Sequence, residues 1–142
     1  MTSRVRAVII QDGKVLTIKR VLSDCIYWTF PGGGVEESDD DLKSALKREC
    51  LEEVGVNVAV KNVILKKEYK EGIIEYFYIC KIINGKVSKG SGPEYDNKDL
   101  GYRGTHEPKW LPLKNLDKFS LKPEILRDLI IKNTETRGNI TI

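Results

Sequence analysis

The chain has 142 residues, of which 40% are hydrophobic, and it carries a formal net charge of +3. This length suits one compact domain with a hydrophobic core, and the composition excludes a disordered or fibrous protein. The sequence contains no apolar run near the roughly 20 residues of a membrane-spanning helix. It also shows no secretory signal, and its three cysteines are widely spaced without a CxxC pair. We therefore expect residues 1–142 to form a single cytoplasmic domain without disulfides or a zinc site.

The first half of the chain predicts three strands that lead into one helix. The strands span residues 4–11, 14–20 and 26–30. Asp12-Gly13 is a strong hairpin signal between the first two, and Pro31-Gly32-Gly33-Gly34 predicts a sharp turn after the third. Asp39 to Asp41 offer N-caps for a helix of about 14 residues, and Gly55 provides its stop.

The second half predicts further strands, a long loop and a second helix. The strands span residues 58–69, 73–83 and 86–89, and a last one ends at Trp110-Leu111. Residues 90–106, rich in Gly, Asp and Lys, read as a long surface loop, and such loops are often functional. A helix is expected from about Pro123 to Lys132. This order of elements predicts an α/β sandwich with a mixed β-sheet between helices.

Three glutamates lie at the end of the first predicted helix, where the helix dipole disfavours negative charge. At about 100° per residue, Glu49 and Glu53 fall inside an apolar stripe, and Glu52 lies at its edge beside Arg48. The stripe consists of Leu42, Ala45, Leu46 and Cys50. Inward carboxylates need partners because a buried unpaired charge is costly, and Arg48 cannot serve all three. A hard cation such as Mg²⁺ or Mn²⁺ meets this need, since these ions prefer clustered oxygen ligands.

The charge of the chain is distributed unevenly. From Glu36 to Glu53 there are eight acidic and three basic residues, a balance of −5, which leaves +8 for the remainder. An acidic metal site in a basic body suits a polyphosphate substrate. Surface lysines that keep a protein soluble explain the same distribution equally well.

The segment Gly34 to Val56 resembles the signature of the Nudix hydrolases. That pattern is Gly, five residues, Glu, seven residues, Arg-Glu, an aliphatic residue, any residue, Glu-Glu, any residue, Gly and an aliphatic residue. Its second half matches here from Arg48 to Val56, with Cys50 at an aliphatic position. Counting back from Arg48 puts Gly34 at the leading Gly and Asp40 where the family has its first Glu. If Pro31-Gly32-Gly33 is aligned with the usual Pro-Gly-Gly of the family instead, one extra residue lies between Glu37 and Asp41. In either alignment the sequence departs from the pattern at the first acidic position.

The resemblance implies the Nudix α/β/α sandwich and a Mg²⁺-dependent pyrophosphohydrolase, with Mn²⁺ as a second suitable ion. The expected reaction is attack by water on a diphosphate linkage in a nucleoside triphosphate or another nucleoside diphosphate derivative. Bound divalent ions would neutralise charge on the diphosphate and lower the pKa of a bound water. The resemblance also implies that the protein can form a homodimer, as Nudix proteins frequently do.

Residue roles follow from the same resemblance. Arg48 is expected to orient Glu52 from one helical turn away rather than to touch the substrate. Glu107 is a candidate general base, because the base of this family often comes from a loop at this place. His106 is a weaker candidate for proton transfer. The implied principal metal ligands are Glu52 and Glu53, and Glu49 is implied as a further ligand or as a base. A backbone carbonyl of Gly32 or Gly33 is expected to complete the coordination.

Two other functions are compatible with the sequence. One is a nucleotide-sensing module that keeps the fold without catalysis, for which Asp40 is the one indication. The other is an RNA 5′-end pyrophosphohydrolase, which the basic balance outside the helix favours. The expected partner in the main interpretation is a small nucleotide, with neither a membrane nor DNA.

Aromatic and basic residues of the strands are weaker candidates for substrate binding. Aromatic residues that could stack on a nucleobase more often belong to a core. They are Tyr27, Trp28, Phe30, Tyr69, Tyr76 and Phe77. Basic residues that could meet phosphates also occur commonly at exposed strand ends. They are Arg4, Arg6, Lys19 and Arg20.

Overall fold

The computed structural model describes residues 3–89 and 105–137. Its strands are β1 Ser3–Gln11, β2 Lys14–Leu22, β3 Cys25–Thr29, β4 Gly32–Gly34, β5 Asn57–Lys70, β6 Ile73–Asn84 and β7 Glu107–Pro112. Its helices are α1 Leu42–Val54 and α2 Glu124–Arg137, with a 3₁₀-helical segment at Leu113–Lys118. The loop predicted over residues 90–106 lies almost entirely outside the described residues.

The strands of the described residues form one mixed sheet with β1 near its centre. The order is β3-β2-β1-β6-β5, while β4 pairs with β1 and β7 pairs with β2. β1 runs parallel to β6, and the other pairings are antiparallel. The register places Gly34 and Glu75 on either side of Arg4, so residues of β4, β1 and β6 form continuous rows across the sheet.

Alternation along β1 divides the core between the two faces of the sheet. Val5, Ala7 and Ile9 pack on the face that α1 covers. Val8 belongs to the core of the opposite face, to which α2 contributes Leu126 and Ile130. The α/β sandwich with a mixed sheet between helices, expected from the sequence, is therefore confirmed. Arg4 and Arg6 share the α2 side of β1, but they line an open cleft.

The local signals for the hairpin and for α1 are confirmed. Asp12 and Gly13 have φ values of 53° and 74°, the left-handed conformation of a two-residue turn that matches strand twist. The Asp41 side chain caps α1 by accepting a hydrogen bond of 2.7 Å from the Ser44 amide. Gly55 ends the helix with φ of 75° and donates its amide to Leu51 O over 3.1 Å.

Two predictions for short segments were wrong. Gly32–Gly34 is not a sharp turn but a short strand, because residues without side chains can lie directly against β1. Residues 86–89 do not form a strand. The Ser88 amide instead donates to Val54 O over 3.0 Å, so this segment satisfies an open carbonyl at the end of α1.

The C-terminal part contains more helix than the sequence indicated. The 3₁₀-helical segment was not predicted, and α2 extends to Arg137 instead of Lys132. No helix among the described residues is long and apolar enough to cross a membrane. All three cysteines carry free thiols, with Cys25 exposed and Cys50 and Cys80 buried.

Gly32→Ala should destabilise the protein more than Gly72→Ala. Both glycines have positive φ, but a Cβ at Gly32 would collide with the Val5 carbonyl oxygen, whereas one at Gly72 would enter open space. We expect Gly72→Ala to lower the free energy of unfolding by about 1 kcal/mol. Gly32→Ala should cost about 1–3 kcal/mol more, because it overpacks the β1–β4 contact. Urea unfolding measures both losses, and equal losses would contradict the close approach of β4.

Candidate active site

A cleft of about 710 Å³ opens beside α1 and the glycine strand β4. Its lining includes carboxylates gathered with Arg48, which we call the acidic wall and which are Glu36, Glu49, Glu52 and Glu53. The lining also includes a group of cations together with Glu75, which we call the basic wall and which are Arg4, Arg6, Arg20, Lys67 and Lys122. The cleft thus brings carboxylates of α1 and of the loop before it together with cations that come mostly from strands.

Glu53 is the most deeply buried carboxylate of the acidic wall, with 6% of the residue exposed. Its Oε1 accepts a hydrogen bond of 2.8 Å from the Gly32 amide. A backbone donor therefore satisfies one oxygen of this inward side chain. The inward direction predicted from helical periodicity is confirmed, and β4 supplies the partner that the sequence did not reveal.

Glu49 and Glu52 share a single nitrogen of Arg48. Arg48 Nη1 lies 2.9 Å from Glu49 Oε1 and 3.3 Å from Glu52 Oε1. The Glu49 side chain is 15% exposed and that of Glu52 is 38% exposed, in agreement with their predicted positions inside and at the edge of the stripe. A Cβ on Gly33 would collide with the Glu49 carboxylate, so glycine is required for this carboxylate to lie against β4.

Arg48 also anchors the chain that precedes α1. Its Nε and Nη2 each donate to one oxygen of Asp39 over 2.9 Å, and Nη2 donates to Gly34 O over 3.1 Å. These hydrogen bonds hold the pKa of Asp39 below its usual range and raise the pKa of Arg48. A fixed, charged guanidinium therefore links the glycine strand, the loop before α1 and two carboxylates of the acidic wall.

The partner of Arg48 is Asp39 and not Asp40. Asp40 is exposed, whereas the Asp39 side chain is 6% exposed and turned inward. A turn from Glu36 to Asp39 directs it there, since the Glu36 amide donates to Asp39 Oδ2 over 2.8 Å. Asp39 lies six residues after Gly33, whereas counting back from Arg48 along the family pattern led to Asp40, six residues after Gly34.

Glu107 lies outside the residues that line the cleft. It begins β7 opposite Lys19, is about half exposed, and has its carboxylate 3.6 Å from Lys109 Nζ. The adjacent His106 does line the cleft. The role of Glu107 as a base stays a prediction, and it would require a shift of its side chain into the cleft.

Only some of the strand residues considered for substrate binding reach the cleft. Tyr27 and Tyr69 line it, whereas Phe30 and Phe77 are buried in the core. Trp28 packs edge-on against Phe119 with ring centroids 5.1 Å apart. Arg20 approaches Tyr27 and donates to Thr105 O over 2.6 Å. Sequence alone did not separate these cleft residues from the core because both kinds alternate along the same strands.

The acidic wall suits a hard divalent cation in its chemistry, although its side chains gather around a guanidinium. Within residues 3–89 and 105–137, no three acidic, histidine or cysteine side chains are already spaced to hold a metal ion. Glu49, Glu52 and Glu53 nevertheless supply the carboxylate oxygens that Mg²⁺ and Mn²⁺ prefer. Glu49 and Glu52 line the cleft, and their side chains would have to rotate away from Arg48 Nη1 to offer oxygens to an ion.

Comparison with known proteins agrees with this site. A family model described as NUDIX domain matches residues 1–130. An RNA pyrophosphohydrolase of Pelagibacter ubique is 35% identical over 106 residues, which are 75% of this chain and 56% of that relative. An RNA pyrophosphohydrolase of Wolbachia pipientis is 34% identical over 136 residues, covering 84% of this chain and 80% of that relative. The solution structure of the E. coli ORF135 protein superposes with a TM-score of 0.67 at 24% identity, covering 95% and 91% of the two chains.

The chain belongs to the NUDIX domain family. The family and fold expected from the signature are thereby confirmed, as is the enzyme class, the hydrolases.

Asp39→Asn should destabilise the protein, while Asp40→Asn should not. The first substitution removes one charge from a two-bond pair with Arg48, and hydrogen bonds to charged groups contribute about 1.5–3 kcal/mol. The exposed Asp40 should tolerate the same change within about 0.5 kcal/mol. Urea unfolding of both variants measures the difference, and a larger loss in Asp40→Asn would show that Arg48 pairs with the other carboxylate.

The stability lost in Asp39→Asn should depend on pH in the acid range. The pKa of Asp39 is lower in the folded protein than in the unfolded chain, where it is about 3.9. Its contribution is therefore complete above pH of about 4 and declines as pH falls through the folded-state pKa. The difference in free energy of unfolding between wild type and Asp39→Asn should shrink below pH of about 4. A difference that grows toward lower pH would contradict the ionised pair.

Proposed function

We propose that the protein is a Mg²⁺-dependent pyrophosphohydrolase that cleaves a diphosphate linkage in a nucleotide. The observation that carries this proposal is the cleft itself, which is lined both by Glu49, Glu52 and Glu53 of α1 and by cations of strands β1, β2 and β5. Carboxylates alone would repel a phosphate chain, and cations alone would bind it without activating water. Both walls together suit a metal-bound phosphate substrate.

The residues of the acidic wall have separate tasks in this proposal. Glu53 is fixed by the Gly32 amide, and Arg48 holds Glu49 and Glu52 side by side at the cleft surface. Glu49, Glu52 and Glu53 are the proposed metal ligands, and the carbonyl of Gly33 in β4 is a further proposed ligand. A bound Mg²⁺ or Mn²⁺ ion would neutralise phosphate charge and make a water molecule more acidic. Arg48 keeps the remaining carboxylates from repelling one another, which stabilises the metal-free site.

A second candidate function within the same class is the processing of RNA 5′ ends. Three relatives named RNA pyrophosphohydrolase match this chain at 34–35% identity. The basic wall is an appropriate surface for an RNA backbone, and it predicts binding that weakens steeply with salt. The alternative of a nucleotide-sensing module rested on Asp40, which the spacing placed where the family pattern has its first Glu. The Arg48–Asp39 pair supplies a carboxylate for that position, which favours the enzyme.

A nucleotide panel with Mg²⁺, analysed by mass spectrometry of the products, tests the proposed reaction. The panel contains nucleoside triphosphates, nucleotide sugars, a dinucleoside polyphosphate and a 5′-triphosphorylated RNA. We expect cleavage between two phosphates of at least one of them, and excess EDTA should abolish it because the carboxylates alone do not activate water. Absence of cleavage across the panel, or cleavage unaffected by EDTA, would exclude this function.

Glu53→Gln should lower turnover by at least about 100-fold, the usual scale for loss of a group that takes part in proton transfer or metal binding. The amide oxygen of Gln can still accept from the Gly32 amide, so the fold should remain intact. The control is Glu37→Gln, which removes the same charge from an exposed residue outside the cleft lining. Near-normal turnover of Glu53→Gln, measured beside an unchanged melting curve, would remove this carboxylate from the reaction.

A further inference from the structure

A row of charged side chains crosses the sheet from the glycine strand to the edge strand β5. Arg4 of β1 lies opposite Gly34 on one side and Glu75 of β6 on the other. Glu75 in turn lies opposite Lys67 of β5. Paired residues of neighbouring strands point to the same face and are about 5 Å apart. The row therefore begins one strand spacing from β4 and continues along the wall of the same cleft.

Glu75 is the one carboxylate in this row, and its shorter ion pair is with Arg6. Glu75 is 6% exposed, and its Oε2 lies 2.9 Å from Arg6 Nε. Arg6 also donates to Phe30 O over 2.8 Å, so its guanidinium is engaged in the fold. Arg4 Nε lies 3.5 Å from the same carboxylate oxygen, too far for a good hydrogen bond. One buried carboxylate thus faces two arginines and Lys67.

Arg4 is held in place without a hydrogen bond at its Nε. That atom is buried and has no hydrogen-bond partner among the described residues. The guanidinium carbon lies over the ring of Tyr69 at 4.6 Å from the centroid, and this cation–π contact stabilises the side chain beside the cleft. Glu75 Oε2 is shared between Arg6 at 2.9 Å and Arg4 at 3.5 Å, so one carboxylate balances only part of the charge of these two arginines. The ligand that suits this excess of positive charge is an anion.

We propose that Arg4, Lys67 and Tyr69 form a subsite for a third phosphate of the substrate. This inference rests on the proposed function, in which the two phosphates of the cleaved linkage lie at the acidic wall. A nucleotide sugar carries only those two phosphates and ends in a neutral sugar, so it offers no further anionic group to Arg4 and Lys67. A nucleoside triphosphate or a 5′-triphosphorylated RNA carries one phosphate more. The row therefore selects substrates with a triphosphate over diphosphates capped by a sugar.

Equilibrium binding without metal tests the subsite apart from catalysis. GTP and GDP-mannose share their nucleoside and differ in the third phosphate, and isothermal titration in EDTA prevents metal-dependent turnover. Wild-type protein should bind GTP more tightly than GDP-mannose. Arg4→Gln and Lys67→Gln should each weaken GTP binding about tenfold, the effect of one charge-assisted hydrogen bond, and leave GDP-mannose binding nearly unchanged.

Lys66→Gln is the matched control. Lys66 precedes Lys67 in β5 and points to the opposite face, where its Nζ lies 5.5 Å from the centroid of the Tyr76 ring. The substitution removes the same charge from the same strand and should change neither affinity. Lys67 is exposed, so Lys67→Gln tests the subsite even when Arg4→Gln lowers stability.

Three results would overturn the proposal. The first is equal affinity of the wild type for GTP and GDP-mannose. The second is that Arg4→Gln and Lys67→Gln weaken the binding of both ligands equally. The third is that Lys66→Gln weakens GTP binding as much as Lys67→Gln does. Titration with a 5′-triphosphorylated RNA distinguishes the two sources of the triphosphate. Tighter binding of the RNA than of GTP identifies an RNA end, and equal binding identifies the free nucleotide. If the expected binding pattern is found but no nucleotide of the panel is hydrolysed with Mg²⁺, the proposed reaction is disproved and the subsite is retained.

Discussion

The guanidinium of Arg48 is the interaction on which the site depends. Asp39, Glu49 and Glu52 all approach it, and without a cation their mutual repulsion would separate them. Glu49 and Glu52 lie in the last two turns of α1, where the partial negative charge of the carbonyl end of the helix adds to this repulsion. Arg48 donates to both oxygens of Asp39 through Nε and Nη2 along one edge of its planar guanidinium, and it presents Nη1 to the glutamates, a geometry that lysine does not offer.

The backbone of β4 makes the same arrangement possible from the other side. Gly32 lies so close to β1 that a methyl group would meet the Val5 carbonyl, and Gly33 leaves space that the Glu49 carboxylate fills. Glu53 then receives a hydrogen bond from β4 rather than from a side chain. The absence of side chains in β4 thus allows the carboxylates of Glu49 and Glu53 to lie directly against this strand. The central strand β1 completes the cleft, since one of its faces packs under α1 while Arg4 and Arg6 project from the other.

Features with a local cause could be predicted from the sequence, and features with a tertiary cause could not. The Asp12-Gly13 hairpin, the Asp41 cap, the Gly55 stop and the inward direction of Glu53 each follow from backbone preference or helical period. The strand character of β4 follows from its fit against β1, which no propensity scale for glycine indicates. The course of residues 86–89 outside the strands follows from the hydrogen bond of Ser88 to the end of α1.

The choice between Asp39 and Asp40 shows the same limit at the site itself. The spacing of a sequence motif does not show which of two neighbouring acidic residues in a loop points inward. The turn that begins at Glu36 determines that Asp39 is the one that faces Arg48. Likewise Arg4, Arg6 and Arg20 reach the cleft while Lys19 lies over Trp28, although all four alternate along strands in the same way. The register of β1 against β4 and β6 separates these residues, and register is a property of the assembled sheet.

Binding of Mn²⁺ observed by electron paramagnetic resonance tests most directly whether the acidic wall is a metal site. The signal of free Mn²⁺ falls when the ion binds, so a titration measures affinity without any assumption about substrate. Wild-type protein should bind Mn²⁺ saturably, and the triple variant Glu49→Gln, Glu52→Gln, Glu53→Gln should lose that binding while it keeps its fold. Saturable binding of equal affinity in the triple variant, or none in the wild type, would contradict a metal centre formed by these three carboxylates.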